Sequence, residues 1–91
     1  MGTDPYFIMT VQEVFTIRGR GTVVTGIIEG GAIEVGDEVH IRSAGSAGKL
    51  VVSGIEISRA SVLYASRGNT VGLLIRGLSA GEVQPGDVLS Y

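Results

Sequence analysis

Residues 11–28 read V-Q-E-V-F-T-I-R-G-R-G-T-V-V-T-G-I-I, two runs rich in β-branched residues broken once by Arg18-Gly19-Arg20-Gly21. Branching at Cβ stiffens χ1 and suits the pleated surface of a strand. A glycine-bearing break this short reverses the chain, so 11–17 and 22–28 are expected to pair as an antiparallel hairpin. Working outward, Val39–Arg42, Leu50–Ile57, Thr70–Arg76 and Val88–Ser90 repeat the pattern and bring the expected number of strands to six. Between the fourth and fifth, Ala60, Leu63, Tyr64 and Arg67 have helical spacing, but 58–67 is too short and too weakly periodic for a stable helix. A loop with at most one helical turn is expected there.

The turns repeat as well. Gly36-Asp37-Glu38-Val39, Gly68-Asn69-Thr70-Val71 and Gly86-Asp87-Val88-Leu89 each place glycine, then Asp or Asn, two positions before an apolar residue that opens a strand. Glycine accepts a positive φ, and an Asx side chain can bond its own backbone two residues on. Asp37 and Asp87 are therefore expected to build turns rather than to bind a ligand. Short strands at intervals of roughly 8 to 12 residues indicate an antiparallel sandwich or small barrel, and closure into a barrel removes open edges. Val71, Leu73 and Ile75 would share one face while Leu74 takes the other, and Val23, Val24, Ile27 and Ile28 also supply both faces. Part of the outer face is thus apolar, which suits a docking face, a shallow ligand pocket or ordinary surface.

Composition narrows the function. Ninety-one residues make one domain, and 44% apolar with 18% charged residues makes it a folded one rather than a solvated tail. A net charge of −2 excludes the broad basic footprint of a protein that grips nucleic acid chiefly through phosphates. With no cysteine and one histidine, thiolate chemistry and Cys- or His-rich metal sites are excluded; no cofactor or metal is expected. The N-terminus lacks an export signal and no run approaches the roughly 18 apolar residues of a spanning helix, so a cytoplasmic location is expected. Residues 1–6 are read as an N-terminal extension or expression remnant and 7–91 as a single barrel.

Three strings imitate catalytic motifs. Ser43–Leu50, S-A-G-S-A-G-K-L, lacks the first glycine and the closing Ser or Thr of a phosphate-binding loop, so a hairpin loop is expected. Gly19-Arg20-Gly21 opens like a dinucleotide fingerprint, but the third glycine would fall at Val24, inside a strand. Gly77-Leu78-Ser79-Ala80-Gly81 fits the nucleophile elbow letter for letter, yet the one histidine, His40, precedes it and alternates outward in a strand. Among the carboxylates Glu13, Glu29 and Glu56, only Glu56 stands out, flanked by Ile55 and Ile57 with Arg59 three positions on. That arrangement suits a binding group or a surface ion pair of less than about 1 kcal/mol.

Taken in order, Val14–Gly26 (V-F-T-I-R-G-R-G-T-V-V-T-G), Gly54-Ile55-Glu56-Ile57, Val71–Gly77 (V-G-L-L-I-R-G) and Gly86-Asp87-Val88-Leu89 resemble domain 2 of elongation factor Tu and related translational GTPases, from about Phe7 to Leu89. The resemblance implies a closed six-stranded antiparallel β-barrel that is not itself an enzyme and normally sits between a GTPase domain and a second barrel. It also implies a pocket for the 3′ adenosine of (aminoacyl-)tRNA at Ile17, Gly19, Val23, Glu56, Arg59 and Leu74, with Thr25 near the aminoacyl group. Apolar walls with a carboxylate for ribose hydroxyls are the chemistry a single nucleoside needs.

The chain departs from the family at Gln12, where an acid is usual, at Thr70 for Asn, at Ser58 for His or another ring, and at Gly30 for Arg. The adenine slot is therefore better retained than the aminoacyl-sensing rim. No GTP-binding motif is present, so GTP chemistry would belong to another domain. Isolated binding to the tRNA acceptor end is expected to be no tighter than roughly millimolar. The expected partners are that tRNA end and a GTPase domain or other protein domain; the alternative is a standalone interaction or structural barrel without tRNA binding.

Overall fold

The structure, a computed structural model, describes residues 6–42 and 50–91. The strands are β1 (Phe7–Thr10), β2 (Glu13–Ile17), β3 (Gly21–Glu34), β4 (Glu38–Ile41), β5 (Leu50–Ile57), β6 (Ala60–Val62), β7 (Tyr64–Ser66), β8 (Thr70–Arg76) and β9 (Val88–Ser90), with a 3₁₀ turn at Ala80–Glu82. Antiparallel pairing runs β1-β9-β4-β5-β8-β3 and returns from β3 to β1, closing a six-stranded barrel. Three further strands lie along its wall: β2 and β7 on β3, and β6 on β5. The expected hairpin loop over 43–49 lies outside the described residues.

Six strands close the ring as expected, but their membership differs. The run 11–17 is not one strand. Val11 exchanges backbone hydrogen bonds with the β9 approach (N–H to Asp87 O, 2.8 Å; O from Gly86 N–H, 2.8 Å), whereas Gln12 donates to Thr25 O on β3 at 2.7 Å. The chain thus leaves the barrel wall at Val11, and the ring strand is the preceding Phe7–Thr10. Nor does β3 stop at Ile28. Gly30-Gly31 lies within it, where β1 packs against β3 with Phe7 opposite Gly31 and Ile8 opposite Gly30. The Tyr6 ring packs on Gly30 and Tyr6 O accepts from Ala32 N–H at 3.0 Å.

Residues 58–67 correct the expectation of a loop with a helical turn. They form β6 and β7, because the candidate helical face had nothing to bury: Ala60, Leu63, Tyr64 and Arg67 are exposed and only Ala65 is buried. Elsewhere the alternation holds. Val71, Leu73 and Ile75 point inward to join Phe7, Met9, Val24, Ile28, Ile33, Val39, Val52, Ile55 and Leu89 in the core, while Leu74 faces out. Each large side chain so buried stabilises the fold by about 1.5–3 kcal/mol.

The three repeated turns share one geometry. Asp37, Asn69 and Asp87 each donate their N–H to the carbonyl three residues back, and their side-chain oxygens accept from that same residue's N–H: Glu34 at 2.8 Å, Ser66 at 2.9 Å and Gln84 at 3.0 Å. The Asx group therefore bonds backward by three residues rather than forward by two. Gly36, Gly68 and Gly86 carry the left-handed step at φ 102°, 93° and 98°, which a Cβ would strain. Asp37 also accepts from the Tyr91 hydroxyl at 2.6 Å, and the Tyr91 ring packs against Phe7 with centroids 5.7 Å apart.

Two outcomes follow from this packing. A Cβ on Gly26 would collide with the Thr10 carbonyl, which is backbone and cannot swing aside. Gly26→Ala should therefore lower unfolding free energy by about 3 kcal/mol in denaturant melts, while Gly81→Ala, with open space around its Cβ, should stay within about 0.5 kcal/mol of the parent. Burial, and then the hydrogen bond to Asp37, push the Tyr91 phenol well above its ordinary value. A raised folded pKa keeps its contribution below the unfolded value and loses it as pH rises, so stability should fall above about pH 10. Tyr91→Phe should flatten that alkaline limb.

Candidate functional site

Strand register builds the site on the outside of the barrel. Val23 and Thr25 on β3 lie opposite Leu74 and Gly72 on β8, which in turn lie opposite Gly54 and Glu56 on β5. Period-two alternation turns all six outward, since their neighbours Val24, Leu73 and Ile55 fill the core. The result is a grid with an apolar row, Val23, Leu74 and Gly54, beside a polar row, Thr25, Gly72 and Glu56. Phe15 on β2 extends the apolar row across from Val23, and Ser61 on β6 extends the polar row across from Glu56.

A cavity of about 780 Å³ covers this grid, and Ile17, Val23, Thr25, Glu56, Arg59 and Leu74 all line it. Gly19, the seventh expected residue, is not on its wall; it occupies the β2–β3 turn between Ile17 and Arg20 at φ 79°. Of the positions where the chain departs from the family, Ser58 and Thr70 line the cavity, whereas Gln12 and Gly30 do not. Phe15, Arg20, Val35, Ser61 and Leu63 also line it and were not anticipated. Phe15 was within reach of sequence reasoning, since it shares a strand face with Ile17. Val35 and Leu63 were not, because they enter through a loop contact, Val35 N–H to Leu63 O at 3.0 Å.

The walls are unusually apolar for exposed surface: Phe15, Ile17 and Leu63 are 49%, 41% and 78% exposed. The charged groups of the lining are one carboxylate, Glu56, and two guanidinium groups, Arg20 and Arg59, so the cavity carries a local positive excess on an acidic chain. Glu56 and Arg59 form no ion pair with each other among the described residues. Both are exposed and available to a ligand. The lining has no histidine and no cysteine, and the Ser53 hydroxyl is engaged in donating to Leu74 O at 3.2 Å. The arrangement is equipped to hold a molecule with an apolar face, hydroxyl donors and a negative group. It offers no nucleophile paired with a base.

Other candidates resolve structurally. Ser79 N–H donates to the Glu82 carboxylate at 2.9 Å across a single 3₁₀ turn, so the elbow-like string caps a turn rather than a helix. His40 is exposed on β4 opposite Ser90. Thr22 is buried and donates to Leu78 O at 2.7 Å, fastening the loop after β8 to the barrel.

The rim carries backbone strain. Ile57 pairs with Ala60 across a two-residue turn whose central residues, Ser58 and Arg59, both have positive φ, 50° and 69°. Such a turn twists with its flanking strands and normally holds Asn-Gly. Here two residues with Cβ atoms bear it, and both line the cavity.

A family model for elongation factor Tu domain 2 matches residues 21–90. The barrel is similar to part of translation elongation factor SelB from Methanococcus maripaludis, in its apo form (TM-score 0.82, 36% identity, covering 97% of this chain) and in complex with the GTP analogue GppNHp (TM-score 0.83, 36% identity, 98%). In both comparisons this chain spans 19% of the length of the SelB chain.

Relieving the strained rim should reveal its cost. The double substitution Ser58→Asn, Arg59→Gly is expected to raise unfolding free energy by about 1–2 kcal/mol, measured by chemical denaturation, because glycine removes a Cβ that costs about that much at a left-handed position and asparagine tolerates the conformation better than serine.

Proposed function

The chain belongs to the elongation factor Tu domain 2 family, and on that premise we propose that it is the nucleotide-end-holding barrel of a translational GTPase. The observation that carries this proposal is the paired apolar and polar rows under one cavity, with two guanidinium groups at the edge. A nucleobase gains from Phe15, Val23 and Leu74 through burial of its flat face. Ribose hydroxyls donate well to a carboxylate, the role of Glu56, and phosphates suit Arg20 and Arg59. The terminal adenosine of tRNA presents all three features at an accessible single-stranded end. On this reading Thr25, at the end of the polar row, serves the group attached to the ribose.

On this proposal the chain binds and does not catalyse, and any GTP chemistry resides in a GTPase domain beyond this sequence. Affinity for a whole tRNA would come from linked domains, each adding contacts to one ligand. No helix among the described residues is long and apolar enough to cross a membrane, and the cytoplasm is the compartment that fits a translation factor. A second function is favoured by one observation: Leu63 is 78% exposed, with Tyr64 beside it at 55% and Ile27 at 44%. Apolar exposure of that degree suits packing against a neighbouring protein domain.

The test is a titration of the isotope-labelled chain with a short RNA ending in CCA, followed by backbone NMR. Signals of Glu56, Arg59 and Leu74 should shift, and Glu56→Gln should weaken binding about tenfold, as expected for a lost hydrogen bond to a charged group. Saturating RNA that moves none of these signals would refute the proposal.

A further inference from the structure

Gly54 and Gly72 have no structural need to be glycine. Both lie inside strands, and neither adopts a positive φ. A Cβ on Gly72 would meet Val23 at 3.5 Å and Thr25 at 4.0 Å, and one on Gly54 would meet Leu74 at 3.5 Å and 3.8 Å, all ordinary van der Waals contact. The contrast lies in the same sheet. Gly26 and Gly31 are each closed to a Cβ by a backbone carbonyl, so packing explains them and leaves the other two unexplained. Gly54 follows a register shift in β5, which accounts for a bend but not for a missing side chain. Glycine inside a strand weakens it and often marks a place where a ligand comes close to the backbone.

We infer that Gly54 and Gly72 are the specificity-determining floor of the cavity, left bare so that a flat heteroaromatic ring can rest directly on the backbone. Register places the four outward positions of β5 and β8 at the corners of a square, with Gly54 opposite Leu74 and Glu56 opposite Gly72. The two glycines occupy one diagonal, the Leu74 and Glu56 side chains the other. Diagonal neighbours in an antiparallel pair are about 7–8 Å apart, enough for a ring to lie across bare backbone between an apolar wall and an acceptor. A methyl group at Gly72 would stand in that trench without touching the core. This inference rests on the nucleotide-end proposal and adds that the ring, rather than the sugar-phosphate, is what the floor selects.

The experiment compares the parent chain, Gly72→Ala, Gly54→Ala and the control Gly81→Ala by denaturant melts and by NMR titration with adenosine 5′-monophosphate and with ribose 5-phosphate. Both floor variants should unfold at a denaturant concentration no lower than the parent. They should bind adenosine monophosphate at least tenfold more weakly and ribose 5-phosphate unchanged, with Gly81→Ala like the parent throughout. A parent that binds the adenine nucleotide equally well after Gly72→Ala overturns the inference and leaves the nucleotide-end proposal standing. Loss of stability in Gly72→Ala, or equal losses for both ligands, also overturns it. A parent that binds neither ligand removes both.

Discussion

The barrel depends on one close approach of backbone to backbone. β1 can close the ring only by lying against β3, and where the chain turns from β1 to β2 the Thr10 carbonyl sits where a side chain at residue 26 would be. Everything on the outer wall inherits its position from that contact. Because β3 continues for fourteen residues, it carries β2 and β1 in succession along one edge and β8 and β7 along the other. The cavity is framed by β2, β3, β8, β5 and β6: β2 and β8 pair with β3 itself, β5 reaches it through β8, and β6 hangs on β5.

The same closure explains why the outside can be apolar without forming a second core. Inward positions satisfy the hydrophobic requirement of the fold, and the described residues leave no buried side-chain nitrogen or oxygen without a hydrogen bond. Outward Phe15, Val23 and Leu74 lie outside that core, paired across β2, β3 and β8. On the proposed function they form the apolar wall for a bound nucleoside, with Arg20, Glu56 and Arg59 in the same lining to orient it.

Much of this was legible in the residues. Short runs of β-branched and apolar residues set off by turn signals gave Leu50–Ile57, Thr70–Arg76 and Val88–Ser90 to the residue, and the Gly-Asx repeat marked turns that proved identical in bonding. What was hidden depended on contacts distant in sequence. Val11–Ile17 looks continuous because nothing local shows that Val11 pairs with the β9 approach and Gln12 with β3. The second strand reads as ending at Ile28 because nothing local shows Tyr6 and Phe7 packed on Gly30-Gly31. For the site, six of the seven residues that the resemblance named line one cavity. The other walls, Val35 and Leu63, come together only when β6 and β7 form, and helical spacing in 58–67 obscured those strands.

Alternation along β3, β5 and β8 also separates two kinds of inheritance. Val24, Leu73 and Ile55 bear the folding of the domain while Val23, Leu74 and Glu56, one residue away, bear the surface chemistry. A lineage can thus rewrite what the barrel holds, one outward residue at a time, without passing through an unfolded ancestor. Ser58 and Thr70, two positions where the chain departs from the family pattern, both stand on the cavity wall. A scaffold of this kind can be handed from one translation factor to another with its grip altered and its architecture intact.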